Sequence, residues 1–507
     1  MPSTPATNAD RLEPGPVLDG PAWTSDDLAP PDGAGWDLVV VGGGTAGLVA
    51  AKTAAGFGAS VLLIERDRIG GDCLWTGCVP SKALLAAAHA AHDARNAARY
   101  GISIGDIDVE FQAVMAHVHQ SIATIEPTDS PAAMRAAGVC AAHGSARFIG
   151  PHAVEVHGVS VVFRQALVTT GAAPVLPAIP GLAEANPLTN ESVFGLTRLP
   201  GRLLVLGGGN IGCELGQAFA RLGSQVTIVE AADRILGRED TDAAALVAQT
   251  LTEDGVELRT GVAMTAVHPD GAAWQAVLAD GSKVGFDTVQ VAVGRRPRTS
   301  DLGLEAAGVA LDDRGYVRVD ARLRTTNPRI WAAGDLTGHP QFTHTAGVHG
   351  TLAAGNAVLG LRRRVDVASI PRVTFTQPEV AAVGVSLEQA RTRGLTVRSV
   401  EHVEVDRAIA EQQVAGFSRL VLDGKGRVVG ATIVGPRAGE SLAEAVLAVR
   451  HGLRARDIAG ATHAYPTYSD GVWKAAIAQV QAQLTGAVVG RSTSALAAVR
   501  RVSIRIR

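Results

Sequence analysis

Cysteine is scarce, with four residues in a chain of 507. That excludes the disulfide-dense scaffolds by which small secreted domains compensate for a thin core. No Cys/His cluster has the spacing of zinc ligands, so no metal site is read. Aromatic residues make up only 4% of the chain, but the hydrophobic fraction of 47% is ample for several cores. No uninterrupted apolar run approaches the roughly 18 to 20 residues that span a bilayer, so no transmembrane segment is expected. Neither sign of charge dominates: 46 Lys and Arg stand against 49 Asp and Glu, a net −3. Nothing in that balance marks a nucleic-acid-binding surface. The first residues are polar and Pro-rich instead of basic and then apolar, so no signal peptide is read and the expected location is cytoplasmic. The length exceeds one ordinary core and suits about three domains.

Glycine, by contrast, is plentiful, with 58 residues, and two groups of it fall into one pattern. Trp36 to Val41 reads as a buried parallel strand, followed at once by Gly42, Gly44 and Gly47, an apolar helix, and a second strand from Ser60 to Ile64 ending on Glu65. Glycines for the turn and for close approach to a pyrophosphate, a helix N-terminus for its charge and an acid for the ribose hydroxyls form a complete dinucleotide-binding unit. The unit recurs. Gly201 to Leu206 leads into Gly207, Gly209 and Gly212, and the strand Gln225 to Val229 ends on Glu230. Two units imply two dinucleotides, most economically FAD and a nicotinamide. Glu230 favours the free ribose of NAD(H), and Arg234 just beyond it leaves NADP(H) open.

Directly behind the first unit, Cys73 and Cys78 stand five residues apart in Cys-Leu-Trp-Thr-Gly-Cys-Val-Pro-Ser-Lys. In a regular helix that offset is about 7.5 Å of rise, beyond the roughly 7 Å between Cα atoms that a disulfide tolerates. A bridge therefore requires local distortion, which Gly71 and Gly77 permit. Spacing alone leaves two unlinked thiols as an alternative. Cys140, on a presumed strand, and Cys213, on the helix after the second glycine group, read as structural thiols.

Taken together, these motifs resemble the class I pyridine nucleotide-disulfide oxidoreductases, the family of dihydrolipoamide dehydrogenase, glutathione reductase and mercuric reductase. The likeness runs from about Trp36 to about Thr485 and includes further segments in register: Gly144 to Phe148, Thr169 to Pro174 with Thr170 and Gly171, Val291 to Pro297 with Gly294, and Thr326 to Asp335. It implies an α/β fold of two Rossmann-like three-layer dinucleotide-binding domains plus a C-terminal α+β dimerisation domain. The expected segments are a disordered tail over 1–34, an FAD-binding domain over 35–180 and 297–366, an NAD(P)-binding domain over 181–296, a dimerisation domain over 367–485 and a basic tail over 486–507. The resemblance further implies FAD and a nicotinamide as cofactors, a homodimer, and a redox-active Cys73–Cys78 disulfide. Cys78 would face the flavin and Cys73 would exchange with substrate. Lys82 would stabilise thiolate and reduced flavin, Glu214 would pair with Lys82, and Asp335 and Thr343 would lie by the flavin.

One stretch departs from the disulfide-reducing members, which carry a His-Pro-Thr motif supplying a base from the partner subunit. Here it is His463-Ala-Tyr465-Pro-Thr-Tyr-Ser-Asp470, with Tyr465 in the base position and Asp470 in the supporting one. A phenol titrating near 10 is a poor base at neutral pH, where histidine near 6.5 is suited. Alternation in an extended segment would bring His463 to the same side. Tyrosine in this position resembles mercuric reductases, as do Asp406-Arg407-Ala408 and Gln341 to His344, although their C-terminal cysteine pair and N-terminal metal-binding domain are lacking. The leading expectation is an NAD(P)H oxidoreductase whose acceptor, a small molecule or metal ion, needs no strong base. The alternatives are a dihydrolipoamide dehydrogenase with altered acid/base chemistry and a redox-sensing, partner-binding flavoprotein acting through its arginine-rich tail.

Overall fold

A computed structural model of the chain describes residues 28–31, 33–485 and 493–501. Most of the expected N-terminal and C-terminal tails lies outside these residues; 493–501 is helical. By their contacts the residues divide into two compact units, one running to Ile235 and resuming over Asp254–Val365, the other formed by Leu236–Glu253 and the chain from Asp366 onward. Among the described residues no helix is long and apolar enough to cross a membrane.

The first unit contains one architecture twice. Strand β1 (Trp36–Val41) runs into helix α1 (Thr45–Gly56) and β2 (Val61–Glu65), and the parallel order is Val139–His143, β2, β1, β3 (Val159–Val168), with Ile330–Ala332 beyond. In the second copy β4 (Arg202–Leu206) runs into α2 (Asn210–Leu222) and β5 (Gln225–Val229), ordered Glu257–Arg259, β5, β4, Thr288–Val291, all parallel. These strands are Val- and Leu-rich without alternation because both faces are covered, as parallel sheets require. Each copy carries an antiparallel three-stranded meander, over Ala146–Val168 and Met264–Phe286. In both, the strand order reverses beside the first strand, the place where open α/β sheets bind ligands.

The glycine turns match almost atom for atom. A Cβ on Gly47 would lie 1.9 Å from the Gly42 carbonyl oxygen, and one on Gly212 would lie 1.9 Å from that of Gly207. Only glycine lets helix and turn close this far. Gly44 and Gly209 begin the two helices with no side-chain cap, which leaves their first-turn amides for a phosphate. Glu65 accepts from the amide of Gly43 at 2.6 Å and Glu230 from that of Gly208 at 2.7 Å, so each acid is anchored where a ribose would meet it.

The second unit is a five-stranded antiparallel sheet in the order Arg372–Thr374, Glu379–Gly384, Val428–Gly435, Phe417–Leu422, Thr396–Glu401. Val428–Gly435 is its centre, and helices over Ala443–His451 and Asp470–Leu484 supply the rest of its core. The helix Thr241–Glu253 groups with this sheet although the chain places it inside the second nucleotide-binding copy. The nearly buried Arg419 joins Asp240 at 3.1 Å and also meets Asp242.

Candidate active site

The cysteine motif does not lie on one helix. Cys73 sits in a short helix, α3 (Gly71–Trp75), and Cys78 is the first residue of α4 (Cys78–Arg95). Between them Gly77 takes φ −133° and ψ −111°, and a Cβ there would come 2.6 Å from the Asp72 carbonyl oxygen. The break brings the two sulfurs within hydrogen-bonding reach of each other. Neither cysteine is disulfide-bonded in this structure. Pro80, in the first turn of α4, costs that helix nothing because first-turn amides have no acceptor in any case.

The two sulfurs are electrostatically unlike. A hydrogen bond from Cys73 does most to hold Cys78 low, with help from the Thr343 hydroxyl 3.1 Å away and the Lys82 charge, so that despite burial its pKa falls to about 6. Cys73 is driven far upward by the same hydrogen bond, by burial and by the neighbouring negative charge. These shifts favour a Cys73 thiol donating to a Cys78 thiolate. Lys82 reaches from α4 to Glu214 on α2, Nζ to Oε2, at 2.8 Å. Glu214 is only 6% exposed, and a carboxylate so buried requires a cation beside it. This contact ties the cysteine helix to the helix of the second nucleotide-binding copy.

Other expected residues make contacts of their own. Gly144 donates its amide to the Glu65 carbonyl, Thr170 donates to the Arg298 carbonyl at 2.6 Å, and Arg298 in turn donates to that of Gly171. Gly294 accepts from Val175 beside the two-stranded sheet formed by Ala172–Pro174 and Arg295–Pro297. Asp335 opens a short helix, and burial raises its pKa against the pull of Arg295, 3.6 Å away. Arg295 also pairs with Asp72, next to Cys73. This bridge is not readable in the sequence, since partners 223 residues apart leave no local pattern, and the Thr45 hydroxyl, which hydrogen-bonds Cys73, belongs to no motif with it.

Three expected residues belong to the second unit. Tyr465 is 68% exposed and its hydroxyl donates to Asp406. That hydrogen bond and the Asp406 charge raise the phenol's pKa further. Asp470, expected to support it, is instead 1% exposed at the start of the helix Asp470–Leu484, and its Oδ2 makes no hydrogen bond among the described residues. His463 has partners other than those of Tyr465. Its Nε2 lies 3.0 Å from both oxygens of Glu444, its Nδ1 lies 3.0 Å from the Ala461 carbonyl, and its ring packs against Trp473. The stretch is irregular here, so strand alternation does not apply.

These groups fit the cofactors that the sequence implies: two uncapped helix starts with glycine-limited clearance, an anchored acid at each, and a thiolate and lysine beside the first. The profile of the pyridine nucleotide-disulphide oxidoreductases matches residues 36–350, and that family's dimerisation-domain profile matches 370–476. The mercuric reductase of Streptomyces lividans is 37% identical over 454 residues, covering 87% of this chain and 96% of that protein. The dihydrolipoyl dehydrogenase of Thermus scotoductus is 35% identical over 463 residues, covering 87% and 96%. Among solved structures, LpdA of Mycobacterium tuberculosis superposes with a TM-score of 0.80 at 28% identity, over 87% of this chain and 99% of that one. The HOCl-induced flavoprotein disulfide reductase RclA of Escherichia coli, as a Cu(II) complex, gives 0.79 at 28% identity over 88% and 99%. The chain thus belongs to the pyridine nucleotide-disulphide oxidoreductases, as an FAD- and NAD(P)H-dependent flavin disulfide oxidoreductase.

Proposed function

We propose that this protein passes electrons from NAD(P)H through the Cys73/Cys78 pair to an acceptor that needs no proton-shuttling base, a thiol-bound metal ion of the mercuric kind being the favoured class. The observation that carries this reading is Tyr465, whose hydroxyl donates to Asp406 and is thereby pushed away from acting as a base at neutral pH.

Bound FAD would supply the electron relay between nicotinamide and sulfur. The protein's own part follows from its charges. Reducing the disulfide consumes two electrons and one proton and yields one thiol and one thiolate, the state that the hydrogen bond from Cys73, the Thr343 hydroxyl and Lys82 favour. NAD(P)H, on becoming NAD(P)+, releases two electrons and one proton, so no further proton is needed. Lys82, held by Glu214, keeps a positive charge near the sulfur as it gains negative charge. A soft metal ion takes thiolates as ligands; its binding displaces the Cys73 proton to water or to a thiolate leaving the metal, two-electron reduction of the ion re-forms the disulfide, and the metal itself collects no proton. Cycling a dithiol such as dihydrolipoamide requires a base to take and return one, and His463, engaged with Glu444, is not placed to stand in. The second subunit of a homodimer would present Tyr465 to these cysteines.

The test reduces the FAD-loaded protein anaerobically with NADH or NADPH and then mixes it with thiol-chelated Hg(II) or with lipoamide. Reoxidation by Hg(II) at least about 100-fold faster than by lipoamide is expected, and Tyr465→His should raise the lipoamide rate with a dependence on pH near 6.5. Fast lipoamide turnover by the unaltered protein would instead favour a dihydrolipoamide dehydrogenase.

A further inference from the structure

The two nucleotide-binding copies agree atom by atom at the acid that ends the second strand of each. In the first copy Glu65 accepts from the Gly43 amide through Oε2 and from the Asp67 amide, 2.8 Å away, through Oε1. In the second, Glu230 accepts from the Gly208 amide through Oε2 and from the Ala232 amide, also 2.8 Å away, through Oε1. Each carboxylate is thus held by backbone at both oxygens and is not free to swing aside. The approach of glycine to acid is equally tight in both: a Cβ on Gly43 would lie 3.0 Å from the Glu65 Cβ, and one on Gly208 would lie 3.2 Å from the Glu230 Cβ. The first copy serves as an internal standard, because the adenosine of FAD carries free 2′ and 3′ hydroxyls, which donate to an acid so placed.

We propose that the second copy is built for NADH and that Glu230 excludes NADPH. This rests on the reading of that copy as the electron-donor site and names the donor. NADPH would set a 2′-phosphate, carrying about 1.5 to 2 negative charges at neutral pH, against a carboxylate that two amides keep in place. A site for that phosphate needs cations where this acid stands or close beside it. Ala231 and Ala232 follow Glu230 directly and supply none. Arg259, on the neighbouring strand, is paired with Glu257 at 2.6 Å. Arg234 remains, half-buried and four residues beyond the acid. An arginine there is not diagnostic of a phosphate, since the first copy has Arg66 and Arg68 just after Glu65 and still takes a free diol; its Arg68 lies 4.2 Å over the Trp75 ring instead.

Anaerobic reduction of the flavin in the FAD-loaded protein, timed by absorbance with NADH and with NADPH, tests this. The half-reaction involves neither the acceptor nor Tyr465, so poor turnover with Hg(II) or lipoamide would touch only the acceptor, whereas flavin reduced by neither nucleotide would overturn the donor reading and this proposal together. The second-order rate constant should be at least about 100-fold higher with NADH than with NADPH, as repulsion by a fixed carboxylate implies. Glu230→Ala should slow NADH and quicken NADPH, narrowing that ratio at least about 10-fold, and Arg234→Met should move it by less than about 3-fold. Unchanged flavin content reports that both variants fold, because FAD belongs to the other copy. The unaltered protein decides the main point without any variant: equal rates, or faster reduction by NADPH, would overturn the proposal. A ratio unmoved by Glu230→Ala would remove Glu230 as its cause, and a selective loss of NADPH reduction in Arg234→Met would make that arginine a phosphate ligand and sink the exclusion.

Discussion

At the scale of single residues the chemistry turns on which of two sulfurs carries charge. Cys78 is lowered from an ordinary value near 9 to about 6, so at pH 7 it is largely ionised while Cys73 keeps its proton. The reduced protein should therefore be alkylated by iodoacetamide at Cys78 with a rate that is half-maximal near pH 6. Lys82→Met removes an attraction to the Cys78 thiolate, and Thr343→Val removes a hydrogen bond. Each should move that midpoint upward, by about one pH unit or more. The sign also fixes a stability effect: a thiolate favoured in the fold contributes stability that is fully present above the unfolded pKa and is lost as pH falls through about 6. A wild-type midpoint between 8 and 9 would end the assignment of Cys78 as the thiolate. Of this arrangement the sequence shows the two cysteines and the lysine, because they share one short segment. The Thr343 hydroxyl is 265 residues from Cys78 and Asp406 is 59 from Tyr465; such pairings are decided by tertiary packing and leave no periodic trace.

At the scale of elements the duplicated strand–turn–helix unit is what the sequence exposes best, since glycine spacing, an unbroken apolar strand and a terminal acid all lie within about thirty residues of one another. Boundaries are less legible. The helix that carries Lys82 begins at Cys78, before Pro80, and gives way after Arg95 to a short 3-10 turn over Ala97–Tyr100. Proline reads as a boundary in sequence, yet within a first turn it is no obstacle. Asp240 and Asp242, at the start of the helix Thr241–Glu253, meet the nearly buried Arg419 nearly 180 residues away, which no local rule could supply. Because the two glycine turns are equivalent in geometry but are expected to hold different dinucleotides, they are tested by breaking them separately. Gly47→Ala and Gly212→Ala each place a Cβ 1.9 Å from a backbone oxygen, a clash that only backbone movement can relieve, at a cost of about 1–3 kcal/mol or more. Gly47→Ala should yield protein depleted of FAD. Gly212→Ala should retain FAD and weaken NAD(P)H binding at least about 10-fold, read by flavin absorbance and by the nucleotide dependence of flavin reduction. Loss of FAD in both would mean that the copies are not specialised.

At the scale of the whole molecule, the second unit exposes several large apolar side chains. Tyr465 itself is 68% exposed, and Val403 and Ile409, on either side of its partner Asp406, are 58% and 52% exposed, with Leu447 at 56%. Covering a side chain of this size is worth about 1.5–3 kcal/mol, and the match to a dimerisation domain over 370–476 supplies the occupant, a second copy of this chain. Such a dimer would be obligatory for function if Tyr465 serves the cysteines of the other copy, and that arrangement can be tested without any assay of activity. In Tyr465→Cys the new thiol would lie at the mouth of the partner's site, where the partner's Cys73 is the exchanging sulfur. Mild oxidation should then convert the subunits to a covalent dimer on a non-reducing gel. Adding Cys73→Ser should abolish that dimer while leaving the sedimentation coefficient of the native protein unchanged. Oxidised protein that sediments as a dimer but runs as a monomer on the gel would remove Tyr465 from the partner's site. The base position would then face solvent, and the absence of histidine there would carry no information about the acceptor.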